Sequence, residues 1–266
     1  MNYKNIDIEI VAETAHIYLN RPEIRNALNI ELLDEMIKAL GFLNNEQAIR
    51  FILLSGKGKM FCSGADLGWL RGTVSHSYAG NQAEGFKLAR CFNTLYNTSK
   101  ITICLVHGGS YGGSNGLVTA CDFAYTLNDS VFTFSEVKLG LVAATIAPYV
   151  IRKIGHQRAS ELMLSGTVID GKKAKNIGLV TESFENNEQL EKHIDIFLDE
   201  LRTAAPEAQR EMKLWLKNIA NRTIDESLIQ ESVELITKSR ISPESKEGIG
   251  AFFDKRQPNW RKEADA

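Results

Sequence analysis

The chain has 266 residues, 44% hydrophobic and 24% charged, with a formal net charge of −2. That balance suits a soluble globular protein of one domain, or one domain with an appendage, and excludes the basic stripe of a general nucleic-acid binder. No segment reaches the roughly 18 apolar residues of a membrane span, and the N-terminus lacks a signal peptide's apolar stretch, so a cytoplasmic protein acting on small molecules is expected.

In chain order, Ile6–Val11 and Ala15–Asn20 are short apolar runs joined by Ala12-Glu13-Thr14, an antiparallel hairpin pattern. Asn26–Leu43 has helical spacing (Leu28, Leu32, Leu33, Met36, Ile37, Leu40) and is expected to end near Gly41. Phe51–Ser55 is a continuous apolar strand, and the loop Gly56–Gly64 leads into a short helix from about Asp66. Gly80–Thr98 reads as an amphipathic helix, Ile101–Val106 as a buried strand, and Gly108–Gly116 as a glycine-rich loop before helix Leu117–Cys121. Strand-like pieces follow at Phe123–Leu127 and Val131–Phe134. Strands alternating with helices indicate an α/β core with a mostly parallel sheet, assigned to residues 1–185. Residues 186–266 read as a separate helical region, with helices at Glu188–Leu201, Pro206–Ala220, Ile224–Lys238 and Pro243–Lys255.

The four cysteines (Cys62, Cys91, Cys104, Cys121) form no C-x-x-C pair, and the five histidines lack metal-ligand spacing. Buried free thiols in a reducing compartment and no metal site are expected. His107, at the start of a loop after a buried strand, is expected to be a satisfied structural histidine.

Two loops that follow buried strands carry the candidate chemistry: Phe61-Cys62-Ser63-Gly64-Ala65-Asp66-Leu67, and His107 through Gly116. The second has neither a G-x-G-x-x-G dinucleotide fingerprint nor the Gly-Lys-Ser/Thr of a P-loop. In open α/β sheets ligands gather at the carboxyl ends of strands. An N–H at a helix start has no partner inside the helix, so two such groups, one from each loop, would polarise a carbonyl and hold an oxyanion. Plain turns, with Asp66 as an ordinary helix cap, are the alternative.

The strings Leu19-Asn20-Arg21-Pro22 with Asn26-Ala27-Leu28, Phe61–Leu67, Val106-His107-Gly108 with Gly112-Gly113 and Ala120-Cys121-Asp122, Phe134–Val137 with Leu139-Gly140-Leu141, and Glu247-Gly248 with Phe252–Arg256 occur in this order. Together they resemble the crotonase (enoyl-CoA hydratase/isomerase) superfamily over nearly the whole chain. The resemblance implies repeated ββα units, a helical C-terminal trimerisation region, and trimers that often pair into hexamers. It implies an acyl-CoA thioester as substrate, no cofactor besides that CoA, and an oxyanion hole formed by the N–H groups of Ala65 and Gly113. In comparable sites one such donor is worth up to roughly 3–4 kcal/mol. Tyr111, Ser114, Asn115 and Gly116 would shape the acyl and water pocket. Arg21, Arg25, Ala65, Asp66, Leu67, Phe252 and Lys255 match positions near CoA, although for the two arginines solvated surface cations is the competing reading.

Hydratases of this superfamily place two glutamates around one water. Glu136 matches the second, and its apolar flanks predict partial burial and a raised pKa; the first falls at Gly116. Three outcomes follow: a hydratase with Glu136 as its single acid/base, a Δ3,Δ2-enoyl-CoA isomerase or glutaconyl-type decarboxylase, or an acyl-CoA-binding protein with little turnover. The stretch from Leu139 to Val150, and glycine at position 116, resemble bacterial methylglutaconyl-CoA hydratases. That likeness favours hydration of a branched or carboxylated enoyl-CoA, with Lys138, Arg71, His76 and Arg152 as candidate cations for a distal carboxylate.

Overall fold

Alternation of side chains forms the first hairpin: along β2 (Thr14–Leu19), Ala15, Ile17 and Leu19 are buried, while the residues between them are half-buried on the other face. β1 (Ile6–Val11) pairs with it antiparallel. β3 (Phe51–Gly56) is buried along nearly its whole length, as expected of a central parallel strand, and β4 (Ile101–Val106), β6 (Phe123–Leu127) and β9 (Glu182–Phe184) complete a six-stranded sheet. Its order is β1-β2-β3-β4-β6-β9, parallel beyond the first hairpin. A second sheet of three short strands, β5 (Gly109–Tyr111), β7 (Val131–Thr133) and β8 (Val168–Asp170), has the order β5-β7-β8. The computed structural model describes residues 3–261.

α1 (Ile30–Asn45) starts later than its periodicity predicts, at the cap Asn29, whose side chain accepts from the Leu32 N–H. Residues 26–28 are used elsewhere: Leu28 forms a bridge with Ala65, and the Asn26 amide donates to the carbonyls of Lys57 and Met60. The helix also runs through Gly41, because burial of Leu40 and Leu43 outweighs a glycine penalty of about 1 kcal/mol. α2 (Leu67–Thr73), α3 (Tyr78–Asn97) and α4 (Asn115–Ala120) follow. The sequence pattern places no element between Leu141 and residue 185, yet α5 (Ala147–Ser165), β8, α6 (Gly171–Asn176) and β9 lie there. α5 escapes the pattern because Gly155, at φ 76°, breaks its register.

The chain divides into two units, Met1–Leu190 and Glu191–Ala266. The main hydrophobic cluster, with Leu32, Phe61, Phe92, Leu117 and Ile146, lies in the first. α7 (Asn187–Arg202) crosses the division, and α8 (Pro206–Ile219), α9 (Glu226–Arg240) and α10 (Pro243–Phe253) lie in the second. Among the described residues no helix is long and apolar enough to cross a membrane.

Candidate active site

Three parallel segments converge in the first unit. The chain leaving β3 bridges β5 through Cys62 and Ser110, and β5 pairs with β7 in the register Tyr111 opposite Thr133. Parallel neighbours exit at the same end. Ala65 is the third residue after Cys62, Gly113 the third after Ser110, and Glu136 the third after Thr133. The topology therefore delivers two candidate amides and one carboxylate to one edge.

The two loops touch closely. Tyr111 N–H donates to Cys62 O and Cys62 N–H to Gly109 O, each at 3.2 Å. A Cβ on Gly64 (φ 91°) would sit 2.7 Å from Tyr111 O, so only glycine permits this approach just before Ala65. Among the described residues, neither the Ala65 nor the Gly113 N–H donates to a protein acceptor. A Cβ on Gly113 would meet nothing within 4 Å, so its backbone faces open space.

Glu136 lies in a 3-10 turn, Ser135–Leu139, and is half-buried. Its carboxylate packs on Gly112: a Cβ there would lie 3.3 Å from Oε1. Oε2 is buried and has no hydrogen-bond partner among the described residues. Burial raises the carboxyl pKa above its ordinary value, opposed by the residue's own N–H.

Asp66 caps α2, accepting from the Gly68 and Trp69 N–H groups at 2.8 and 3.3 Å. Arg21 donates to Asp66 Oδ2 at 2.9 Å and to Ala27 O at 2.6 Å. Burial alone would raise the Asp66 carboxyl; the Trp69 N–H, Arg21 and the Gly68 N–H together outweigh it and hold it below the usual range. Arg21, matched by the resemblance to a position near CoA, has a side chain only 15% exposed and ties the loop through Asp66. Arg25, exposed and at φ 56°, lines a cavity of about 530 Å³ with Ile24, Ala65, Asp66 and Leu67. Glu136 is not on that wall.

The expected pocket residues divide. Tyr111 is half-buried beside Gly64. Ser114 and Asn115 are fully buried and face the scaffold rather than a pocket: the Ser114 hydroxyl bonds Ser110 Oγ and Tyr111 O, and the Asn115 amide bonds Gly112 O and Thr133 O. Gly116 does not open space either. A Cβ there would lie 2.6 Å from Ile146 Cγ2 and 2.7 Å from Phe92 Cζ, so the volume a second carboxylate would need is filled by apolar side chains. Sequence gave no hint of this, because Phe92 reads only as one more apolar position on a helix face.

Of the candidate cations, His76 meets Glu84 at 3.3 Å and Arg152 donates to Tyr96 OH at 3.2 Å, while Lys138 and Arg71 are exposed. His107 bonds Gly58 O at 3.0 Å, the structural role expected of it. All four cysteines are buried, and burial pushes the Cys62 and Cys91 thiols up to about 12. Phe252, 78% exposed, and Lys255, at φ 52°, lie at and just beyond the end of α10 in the second unit. Among the described residues no group of three or more His, Cys, Asp or Glu is placed to hold a metal.

The family model described as enoyl-CoA hydratase/isomerase matches residues 9–263. An enoyl-CoA hydratase structure from Shewanella pealeana superposes with a TM-score of 0.93 at 32% identity, covering 97% of this chain and 96% of that one. An enoyl-CoA hydratase of Alternaria alternata is 31% identical over 91% of this chain and 78% of its own length. The peroxisomal Δ(3,5)-Δ(2,4)-dienoyl-CoA isomerase of Arabidopsis thaliana is 28% identical over 98% of both chains.

Proposed function

The chain belongs to the enoyl-CoA hydratase/isomerase family, and we propose that within it the protein hydrates an α,β-unsaturated acyl-CoA with Glu136 as its only acid/base. The observation that carries this reading is the convergence of three parallel segments on one edge, with unpartnered amides at Ala65 and Gly113 and the orphaned Oε2 of Glu136. Glu136 takes a proton from water as the water oxygen bonds the β-carbon, and the displaced π electrons move through the α-carbon onto the thioester oxygen. The two N–H groups hold that oxyanion. Glu136 then returns the proton to the α-carbon as the carbonyl re-forms. A raised pKa suits a group that must both accept and donate near neutrality. The reaction needs no cofactor besides the CoA of its substrate, whose nucleotide end the cavity beside Arg25 and Leu67 would receive.

The finer reading is a branched or carboxylated acyl group, supported by the likeness of Leu139–Val150 to methylglutaconyl-CoA hydratases. Among the candidate cations, Lys138 and Arg71 are exposed, while His76 and Arg152 already have partners in Glu84 and Tyr96. The second reading is a Δ3,Δ2-enoyl-CoA isomerase, and the closed surroundings of Gly116 favour it: one carboxylate moving a proton from the α- to the γ-carbon needs no second acid and no bound water. A homotrimer or dimer of trimers also belongs to the proposal, supported by exposed Met212, Leu216, Ile224, Ile241 and Ile249 on the second unit.

The deciding experiment supplies 2-enoyl- and 3-enoyl-CoA esters, with and without a distal carboxylate, and follows conjugated-thioester absorbance. Loss of absorbance from the 2-enoyl ester supports hydration; appearance from the 3-enoyl ester supports isomerisation. If Glu136→Ala leaves turnover unchanged, the catalytic reading fails.

A further inference from the structure

The peptide between Gly112 and Gly113 joins the oxygen that Asn115 grips to the N–H assigned to the oxyanion hole. In a trans peptide these two groups point in opposite directions, so fixing one fixes the other. Gly112 is at φ 52°, and with glycine on both sides this peptide has little steric resistance to flipping, which would turn the Gly113 N–H away from the thioester.

Asn115 opposes that flip twice. Its backbone N–H bonds Gly112 O, and its side-chain Nδ2 donates to the same oxygen at 3.1 Å. The second Nδ2 hydrogen goes to Thr133 O at 2.9 Å, at the end of β7, three residues before Glu136. Both acceptors are carbonyls, so only the amino side of the amide can face them. The residue is fully buried, and its Oδ1 is left without a partner among the described residues, a cost tolerated to keep both donors in place. Gly112 also carries the Glu136 carboxylate against its Cα, so one amide ties the donor peptide to the strand that presents the acid.

We propose that Asn115 is the positioning residue of the oxyanion hole, its side-chain amide locking the Gly112–Gly113 peptide to the end of β7 so that the Gly113 N–H stays aimed beside Glu136. The proposal rests on the assignment of the Gly113 N–H made above.

The test uses the full-length enzyme in a Glu136→Gln background, which slows turnover enough to hold the bound ester, and reads the infrared thioester C=O stretch of a bound 2-enoyl-CoA. It is combined with kcat and KM of the single variants at Asn115. In the parent the band should lie below its position in water. Asn115→Leu, of similar volume but without donors, should return most of that shift and lower kcat by about tenfold to a hundredfold, with KM within about twofold. Asn115→Asp, which regains one donor when protonated, should fall between the two and lose activity as pH rises. If Asn115→Leu does not fold, Asn115→Asp carries the test through its pH-dependent band shift. Variants that bind ester with the parent's full band shift would overturn the positioning role while leaving the oxyanion hole intact. An unshifted band in the parent itself would overturn the oxyanion assignment, and this proposal with it.

Discussion

The two loops that build the site are held by opposite means. Phe61–Leu67 is fixed by charge, through Arg21, Asp66 and the helix cap, at a half-buried rim beside a cavity. His107–Gly116 is fixed by neutral hydroxyl and amide groups on residues fully out of solvent. The difference follows from cost. A paired, hydrogen-bonded guanidinium and carboxylate that keep some solvent contact are tolerable at the rim, whereas a charge buried beside Glu136 would cost several kcal/mol and disturb the acid itself. The rim should therefore tolerate substitution better than the interior, and the changes below probe that ranking.

The largest effect is expected at Glu136. Glu136→Gln should lower kcat by about 10²–10⁴-fold in steady-state assays, the range for loss of a general acid/base. Because its pKa is raised in the fold, the acid limb of kcat/KM should fall off at a higher pH than an exposed glutamate would give. The stability consequence has a defined sign. A raised folded-state pKa contributes stability that is present below the unfolded-state value and lost as pH rises through the folded one. At neutral pH the glutamine variant should thus melt no lower than the parent, an advantage that disappears in acid. A lower Tm at neutral pH would contradict the buried-acid picture.

Next comes Gly116→Ala. With Ile146 and Phe92 inside contact distance of the new methyl, overpacking should cost about 1–3 kcal/mol, read from denaturant midpoints. Adding Phe92→Ala should remove much of that strain on the alanine, at the separate cost of the lost ring. An unchanged midpoint for Gly116→Ala alone would show that this wall yields.

On the rim, Asp66→Ala removes the α2 cap and leaves Arg21 without its carboxylate, with an expected loss of about 1–2 kcal/mol. The smallest change is Arg25→Ala. Stability should not move, and KM should rise a few-fold with kcat unchanged, the increase shrinking at high salt as expected of an exposed cation. A kcat effect there as large as that of Asn115→Leu would reverse the contrast between the loops.

The strong apolar runs were legible in sequence. β3, β4, β6 and the helices of the second unit lie close to where periodicity puts them. The stretch 141–185 was not, because α5 is broken at Gly155 and β8 and β9 have three residues each, too few for a period to show. Arg21 illustrates the same boundary within the site: the sequence shows a cation at a motif position, and only the fold shows it paired with Asp66, 45 residues away in the chain.

By itself the sequence determined the α/β class, the ordered motifs that place the chain in its family, and the absence of a carboxylate at position 116, since these depend on residue identity and local pattern. Only the tertiary structure decided that the space beside Gly116 is filled, that Asn115 faces the backbone rather than a pocket, and that three segments far apart in the chain end at one edge. Those facts depend on contacts across long sequence separations, where a side chain's role is set by what the fold brings against it.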